Sequence, residues 1–320
     1  MLLSILSGLL VAAATTPASA QTRTVVDAEG SSVVVPETVR RVAALSEIDL
    51  DSCLALGIKP VATVNGRGQK SHPYYLQSQG VADVQVVGDL GRPNLEALVR
   101  LKPDLILTAP TRPESLALMR RIAPTLVTYK NSDPWKLVFD RVATILGRKA
   151  AAAEFLARYE QEIRAAQGRL PSLKGKTVSI VRWNPNGPAF MHRDAFASLV
   201  LRDLGLDRPA AQQVEGQKHS MPISLEALHM IDADWLFIGT LEASGESATA
   251  MREVADNPAF QRLAAVKSKR HHPVDGSKWT SVGGPLAALS IVKETADAIA
   301  AEQSQGAGKY SPQEKDPRVK

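Results

Sequence analysis

Several things are scarce in this 320-residue chain, and each scarcity narrows its identity. Cys53 is the single cysteine, so no disulfide can form within the chain. Its neighbours Leu50, Leu54 and Leu56 mark it as a small buried thiol in a helix, with a structural role. Signatures of catalysis are missing. There is no G-x-S-x-G elbow, no phosphate-binding P-loop, no H-E-x-x-H and no dinucleotide fingerprint. The histidines do not compensate, because His72, His192, His219 and His229 lack metal-ligand spacing and the adjacent His271 and His272 point differently in an extended chain. Enzymatic chemistry and a histidine metal centre are therefore not expected. Although the chain is basic, with a net charge of +5 and a pI near 9.3, its cations are scattered and form no run interleaved with aromatics. That excludes a nucleic-acid partner while leaving an anionic one open.

Long apolar runs are equally scarce. Leu2 to Ala14 is one, at about 13 residues, and no later segment reaches the roughly 20 needed to span a bilayer. Ala18-Ser19-Ala20 behind it has the small-x-small form of a signal-peptidase site, so residues 1–20 read as a signal peptide of an exported protein. The positive n-region is absent, so either the true start lies upstream of Met1 or the signal is atypical. Cys53 is far from that cleavage site, and the expectation is a protein that is not a lipoprotein.

The composition, 44% hydrophobic and 22% charged, is that of a globular chain long enough to divide into two domains. A repeated motif divides it. Asn94-Leu95-Glu96-Ala97-Leu98 leads through Lys102-Pro103-Asp104 into Leu105-Ile106-Leu107, and Ser224-Leu225-Glu226-Ala227-Leu228 leads through Asp232-Ala233-Asp234 into Trp235-Leu236-Phe237-Ile238. In each copy a capping residue opens a short helix, and the Glu stands eight positions before an Asp that starts a strand. Either Glu alone could be ordinary first-turn capping chemistry. The pair, at matching places in two halves, favours a two-point docking surface.

Around the motifs the chain alternates strands and helices. A hairpin spans residues 23–35, strands follow at 42–45, 61–64, 84–87, 105–108 and 125–129, and a helix runs from 48 to 56. From 134 to 167 the chain is helical, with a second helix over 149–167 about 28 Å long at about 1.5 Å per residue, long enough to bridge two lobes. Strands at 177–182 and 236–238 and a last helix at 286–300 belong to the second half. The expected fold is α/β: two α/β lobes with central, largely parallel sheets, joined by one long backbone helix. The expected division is 1–20 signal peptide, 21–132 first lobe, 133–170 helical segment, 171–303 second lobe and 304–320 disordered tail.

In such lobes ligands meet the loops after the strand carboxyl ends. Those loops hold Arg67, His72, Tyr74, Arg92 and Arg112 in the first half, and Arg182, Trp183, His192, Arg193 and Trp279 in the second. Each arginine alone reads equally well as a solvated surface cation. Together they would line a concave site for a multiply anionic ligand, with Trp183 and Trp279 as platforms. Gly283-Gly284-Pro285 at a helix start could bind an anion through free backbone donors or be only a tight turn.

Pro93-Asn94-Leu95-Glu96-Ala97-Leu98 with Leu101-Lys102-Pro103-Asp104-Leu105-Ile106 resembles the periplasmic binding proteins of the iron-siderophore and cobalamin class, which deliver ligand to an ABC importer. The resemblance covers nearly the whole mature chain. The elements 183–190 and 279–288 are similar to the branch that takes ferric siderophores, including ferric citrate and other carboxylate chelates. It implies a class III binding-protein fold closing modestly on its ligand, a periplasmic location, a monomer, no cofactor beyond iron inside the bound chelate, and no enzymatic step. It also implies that Glu96 and Glu226 dock onto arginines of the two permease subunits, which work with ATPase subunits. Haem or a corrinoid is the alternative within the class, with His72 and Tyr74 as possible ligands, and a secreted two-lobed hydrolase is the alternative outside it.

Overall fold

The computed structural model describes residues 21–170 and 172–307. The expected signal peptide, and residues 308–320 of the expected tail, lie outside the described residues.

The chain opens with a hairpin, β1 (Thr22–Val26) and β2 (Ser32–Pro36), whose turn is tied by Asp27 accepting the Glu29 and Ser31 N–H groups. Then come β3 (Val42–Leu45), α1 (Glu47–Ala55), β4 (Ala62–Thr63), β5 (Gln85–Val86), a two-residue ribbon of β6 (Gly88–Asp89) and β7 (Arg92–Pro93), α2 (Leu95–Leu101), β8 (Leu105–Thr108), α3 (Pro113–Arg120) and β9 (Thr125–Val127). The five strands β5-β4-β3-β8-β9 form one wholly parallel sheet. Buried on both faces, β3, β8 and β9 carry largely apolar runs rather than an alternating pattern, as parallel strands do.

Two helices follow, α4 (Trp135–Ile145) and α5 (Lys149–Arg169), separated by Gly147 in the left-handed region at φ +65°. The 21 residues of α5 extend about 32 Å. Gly168 lies inside the helix, where a stop was expected. The helix buries Ala152, Phe155, Tyr159, Ile163 and Ala166, one stripe at helical spacing. The Tyr159 hydroxyl donates to Asp203 in the second half at 2.9 Å, and Lys136 of α4 reaches the same carboxylate at 2.8 Å.

The second sheet, ordered β11-β10-β12-β13, is built from β10 (Val178–Asn184), β11 (Gly187–Phe190), β12 (Trp235–Gly239) and β13 (His271–Pro273), parallel except for the edge hairpin β10–β11. That hairpin replaces the loop expected over 183–190. Its turn ends on Asn186-Gly187, and Gly187 sits at φ +118° where a Cβ would come within 2.5 Å of the Ile223 carbonyl oxygen. The helix α6 (Phe196–Asp203), short helices between Glu246 and Trp279 and a final helix, Pro285–Ala307, complete this half. The final helix runs past the expected stop, so residues 304–307 are helical rather than tail.

The two copies of the repeat do the same structural work. Leu98 (0% exposed) and Leu228 (1%) plug the outer cores of their respective halves, while Glu96 and Glu226 stay exposed. Asp104 accepts the Arg40 and Arg41 N–H groups entering β3, and Asp234 accepts the Thr177 N–H entering β10. Each Asp therefore registers the first parallel strand against its neighbour, aligning Val42 with Leu105 and Val178 with Trp235. The copies differ at their caps. Asn94 accepts the Ala97 N–H at 3.0 Å and starts an α-helix, whereas Ser224 makes no side-chain cap and Leu225–Ile231 is a 3₁₀ turn.

The halves are locked at α1. Asp51, fully buried, accepts the Leu286 and Ala287 N–H groups at 2.7 and 3.0 Å, capping the final helix from the opposite half. A Cβ on Gly284 would lie 2.6 Å from Asp51 Cγ, so the glycine is required by this approach. Of the donors considered at Gly283-Gly284-Pro285, the Gly284 N–H is thus already engaged by Asp51. Burial pushes Glu47 up to about 7, Asp49 to about 6 and Asp51 to about 7. Raised carboxyl pKa values favour the folded state when protonated, so their contribution is complete below about pH 4 and is lost as the pH rises through about 7. Melting temperature should fall over that interval, and Asp51→Asn should flatten the decline in a calorimetric pH series. Asp51→Ala should instead cost about 1–3 kcal/mol by leaving two buried N–H groups unpaired.

Candidate functional site

The carboxyl ends of the parallel strands of both sheets face a common cleft of about 450 Å³. Its walls can be built strand by strand. The chain leaving β3 supplies Ile48 at the start of α1. The loop after β4 supplies Arg67, the chain after β9 supplies Tyr129 to Asp133, and α4 supplies Trp135 and Val138. From the second half come Arg182 near the end of β10, Met191 and Asp194–Phe196, then Gln217–His219 and Thr280–Gly283.

The site's electrostatics are one-sided. Arg182 is partly buried, its Nη1 reaches the Thr280 carbonyl at 3.5 Å, and its Nε is buried without a hydrogen-bond partner. Burial, and then the charge of Arg67 from the other half, lower its pKa. Two guanidinium groups thus share the cleft with no carboxylate bonded to either one's side chain among the described residues. The Ser281 hydroxyl is also buried there without a partner. Lys218 donates to the Asp194 carbonyl at 2.7 Å, and burial lowers its pKa against the pull of Asp194 and Asp133. The two acids of the wall are engaged elsewhere. Burial would raise Asp133, but the Lys130 N–H and Arg141 outweigh it and hold the group below the usual range, and Asp194 accepts the Gly216 N–H.

Arg67 is held by its backbone. Its N–H donates to Glu47 Oε1 at 2.7 Å, and the loop folds on itself through the Gly66 N–H to Ser71 oxygen and the Tyr74 N–H to Gln69 Oε1. Next to it, Gly68 meets the loop after β12, where a Cβ would stand 3.0 Å from Leu241 Cβ.

Of the ten ligand-binding residues expected from sequence, the structure brings Arg67 and Arg182 together in the cleft. Trp183 is a correction. On a strand, successive side chains face opposite ways, so Arg182 shares the face of Val178 and Ile180 while Trp183 (3% exposed) enters the outer core, edge-on to Phe260. Trp279 (1% exposed) is another, stacked on Phe237 at 4.6 Å with its indole N–H donating to Glu294 at 2.8 Å. Neither can be a ligand platform. His192 is buried edge-on to Phe190, and Arg193 pairs with Glu215 at 2.9 Å. His72 bonds the Val84 carbonyl at 2.8 Å, and Tyr74 is exposed and lines a neighbouring hollow that shares Arg67 with the cleft. Arg92 and Arg112 are exposed on the β6–β7 ribbon and at the start of α3, outside the cleft. Sequence reasoning missed Tyr129, Lys130, Trp135, Lys218 and His219. Lys130 and Lys218 carried a usable signal, since each lies in a polar stretch, one directly after a strand. Among the described residues no three His, Cys, Asp or Glu side chains are grouped to hold a metal, and no helix is long and apolar enough to cross a membrane.

Two α/β lobes, a long connecting helix and a cationic cleft between them define a class of ligand-binding protein. The periplasmic binding protein family model matches residues 42–271, and the chain belongs to that family. It is 32% identical over 286 residues to the probable siderophore-binding lipoprotein YfiY of Bacillus subtilis, covering 86% of this chain and 87% of the relative. To the Fe(3+) dicitrate-binding periplasmic protein FecB of Escherichia coli it is 26% identical, covering 85% and 88%. The crystal structure of Staphylococcus aureus SirA complexed with staphyloferrin B shares its fold at a TM-score of 0.76 and 23% identity, covering 87% of this chain and 98% of that one. Of these relatives, YfiY is named a lipoprotein and FecB a periplasmic protein.

If Trp279 is core and not platform, Trp279→Ala should lower stability by about 3–5 kcal/mol in denaturant melts. Weakened ligand binding by a variant of unchanged stability would be the contrary result.

Proposed function

We propose that this chain captures an anionic ferric chelate, a siderophore or a carboxylate complex such as ferric citrate, in the periplasm and hands it to an ABC permease. The observation that carries this reading is the pair Arg67 and Arg182, one from each half, facing the same cleft with no carboxylate partner on either guanidinium among the described residues. Guanidinium groups bind carboxylates in a fixed bidentate geometry and keep their charge when desolvated. Lys130, Lys218 and His219 add donors at the mouth, and Ile48, Trp135, Val138 and Phe196 give the apolar surface that excludes water from such pairs. The named cargoes of the relatives YfiY and FecB agree with this chemistry.

The work is binding without a chemical step, iron enters only inside its chelate, and the protein acts as a monomer. Glu96 and Glu226, exposed at equivalent places in the two halves, offer one acidic contact each to the two permease subunits, whose ATPase partners then drive release. The haem alternative loses its proposed ligands, since His72 and Tyr74 are not in the cleft wall.

Titration with ferric citrate, ferric staphyloferrin B, ferri-bacillibactin and haemin, followed by tryptophan fluorescence, tests the reading. Binding of at least one anionic chelate is expected, and binding of haemin alone would overturn it. Arg67→Gln or Arg182→Gln should each weaken chelate binding by about tenfold or more, as loss of a charge-assisted contact worth about 1.5–3 kcal/mol requires, whereas Arg92→Gln and Arg112→Gln should leave it unchanged. Glu96→Ala and Glu226→Ala should reduce uptake by cells while calorimetry finds solution affinity nearly unaltered. Loss of binding in either Glu variant would remove the docking assignment.

A further inference from the structure

Directly beneath Arg67 lies a carboxylate that binding alone does not call for. Glu47, in the first turn of α1, is 6% exposed, and its Oε1 accepts the Arg67 N–H at 2.7 Å. The guanidinium of Arg67 acts on it as the nearby positive charge, and the Tyr129 hydroxyl on the cleft wall feels both groups. Asp275 and Asp51 face it as like charges, with the Tyr75 hydroxyl in the same cluster. Of the other elements against α1, the strand β3, Val-Ala-Ala-Leu, has no ionisable side chain, the opening turn of the final helix, 285–288, has none, and on α4 Lys136 and Arg141 are paired with Asp203 and Asp133 while Asp140 is exposed. On α1 itself Asp49 is buried and accepts from the Ser46 and Thr128 hydroxyls.

Resting on the anion-binding reading above, we propose that Glu47 makes capture proton-linked: as the anionic groups of the chelate engage Arg67, Glu47 takes up a proton, so that affinity is higher on the acid side of neutrality and falls on the alkaline side. The physical reason is a competition for one cation. An ionised Glu47 shares the charge of Arg67 and repels an incoming anion across a poorly screened interior. Once the ligand occupies the guanidinium, the carboxylate loses its main favourable charge partner while its burial is unchanged, and its protonated form is favoured. Burial already pushes this group up to about 7 in the free protein, so the exchange falls where solution pH can work on it. A further rise of one unit on ligation corresponds to about a tenfold change in affinity across the titration. The linkage is separable from the hydrogen bond, because Glu47→Gln keeps an oxygen for the Arg67 N–H and removes only the titration.

The test is isothermal titration calorimetry of the full chain with ferric citrate, and in parallel with ferric staphyloferrin B, in buffers of different ionisation enthalpy between about pH 6 and about pH 8. The wild type should take up a sizeable fraction of a proton per ligand near neutrality and lose affinity about fivefold from pH 6 to pH 8. Glu47→Gln should abolish the uptake attributable to this group and flatten the profile relative to wild type with the same probe, so that the speciation of the chelate cancels. His219 is the imidazole on the cleft wall, so His219→Gln is the control and should retain the uptake. Uptake that persists in Glu47→Gln and disappears in His219→Gln would overturn the inference, as would a wild type that binds without proton exchange. Should Glu47→Gln fail to fold, proton uptake centred near pH 7 that survives in both His219→Gln and Asp51→Asn supports the linkage, and its absence refutes it. A wild type that binds neither probe at any pH would instead remove the chelate reading, and the inference with it.

Discussion

The carboxylate of Asp51 is the joint on which the molecule is assembled. It sits on α1, yet its acceptors close the amino terminus of a helix whose Leu286 N–H lies 235 residues later. A helix start carries unpaired N–H groups and a positive dipole end, so a buried acid there satisfies both partners. From this one contact the relative placement of the two sheets follows, because the final helix also packs on α5 and α6, and α5 carries the tyrosine that holds Asp203. The ionisation cost of burying Asp51, seen in its raised pKa, is tolerated because its alternative is a helix terminus without partners in the same place.

A consequence is that the cleft is shaped mostly by rigid parts. Glu47, Ile48 and Asp51 lie on one helix that simultaneously contacts the cleft, supports the Arg67 loop and joins the halves. Arg182 is placed by a seven-residue strand and Trp135 and Val138 by α4. Side chains fixed by strands and helices hold their geometry more closely than those on free loops.

Much of the fold was legible because parallel strands leave unbroken apolar runs and the repeat marks the two halves. Strands 42–45 and 105–108 came out as read, and the long helix began at Lys149 as its alanine-rich run suggests. What failed was anything decided by direction rather than by residue type. Arg182 and Trp183 were both assigned to the cleft, although neighbours on a strand cannot face the same way, and the hairpin signal Asn186-Gly187 that would have made 183 a strand residue went unused. Trp279 looked like loop because glycines surround it, whereas its stacking on Phe237 comes from β12, distant in sequence. Charge alone also misled, since Arg193 has a local partner in Glu215 that spacing in the sequence does not reveal.

The touch between Gly68 and Leu241 has a consequence for traffic. With the loop after β4 resting against the loop after β12, that flank of the cleft is bridged. Cargo must then come and go by the flank where Lys130, Asn131, Gln217 and His219 stand exposed, a doorway at which the Lys130 ammonium meets an anion before the partly buried Arg182 does.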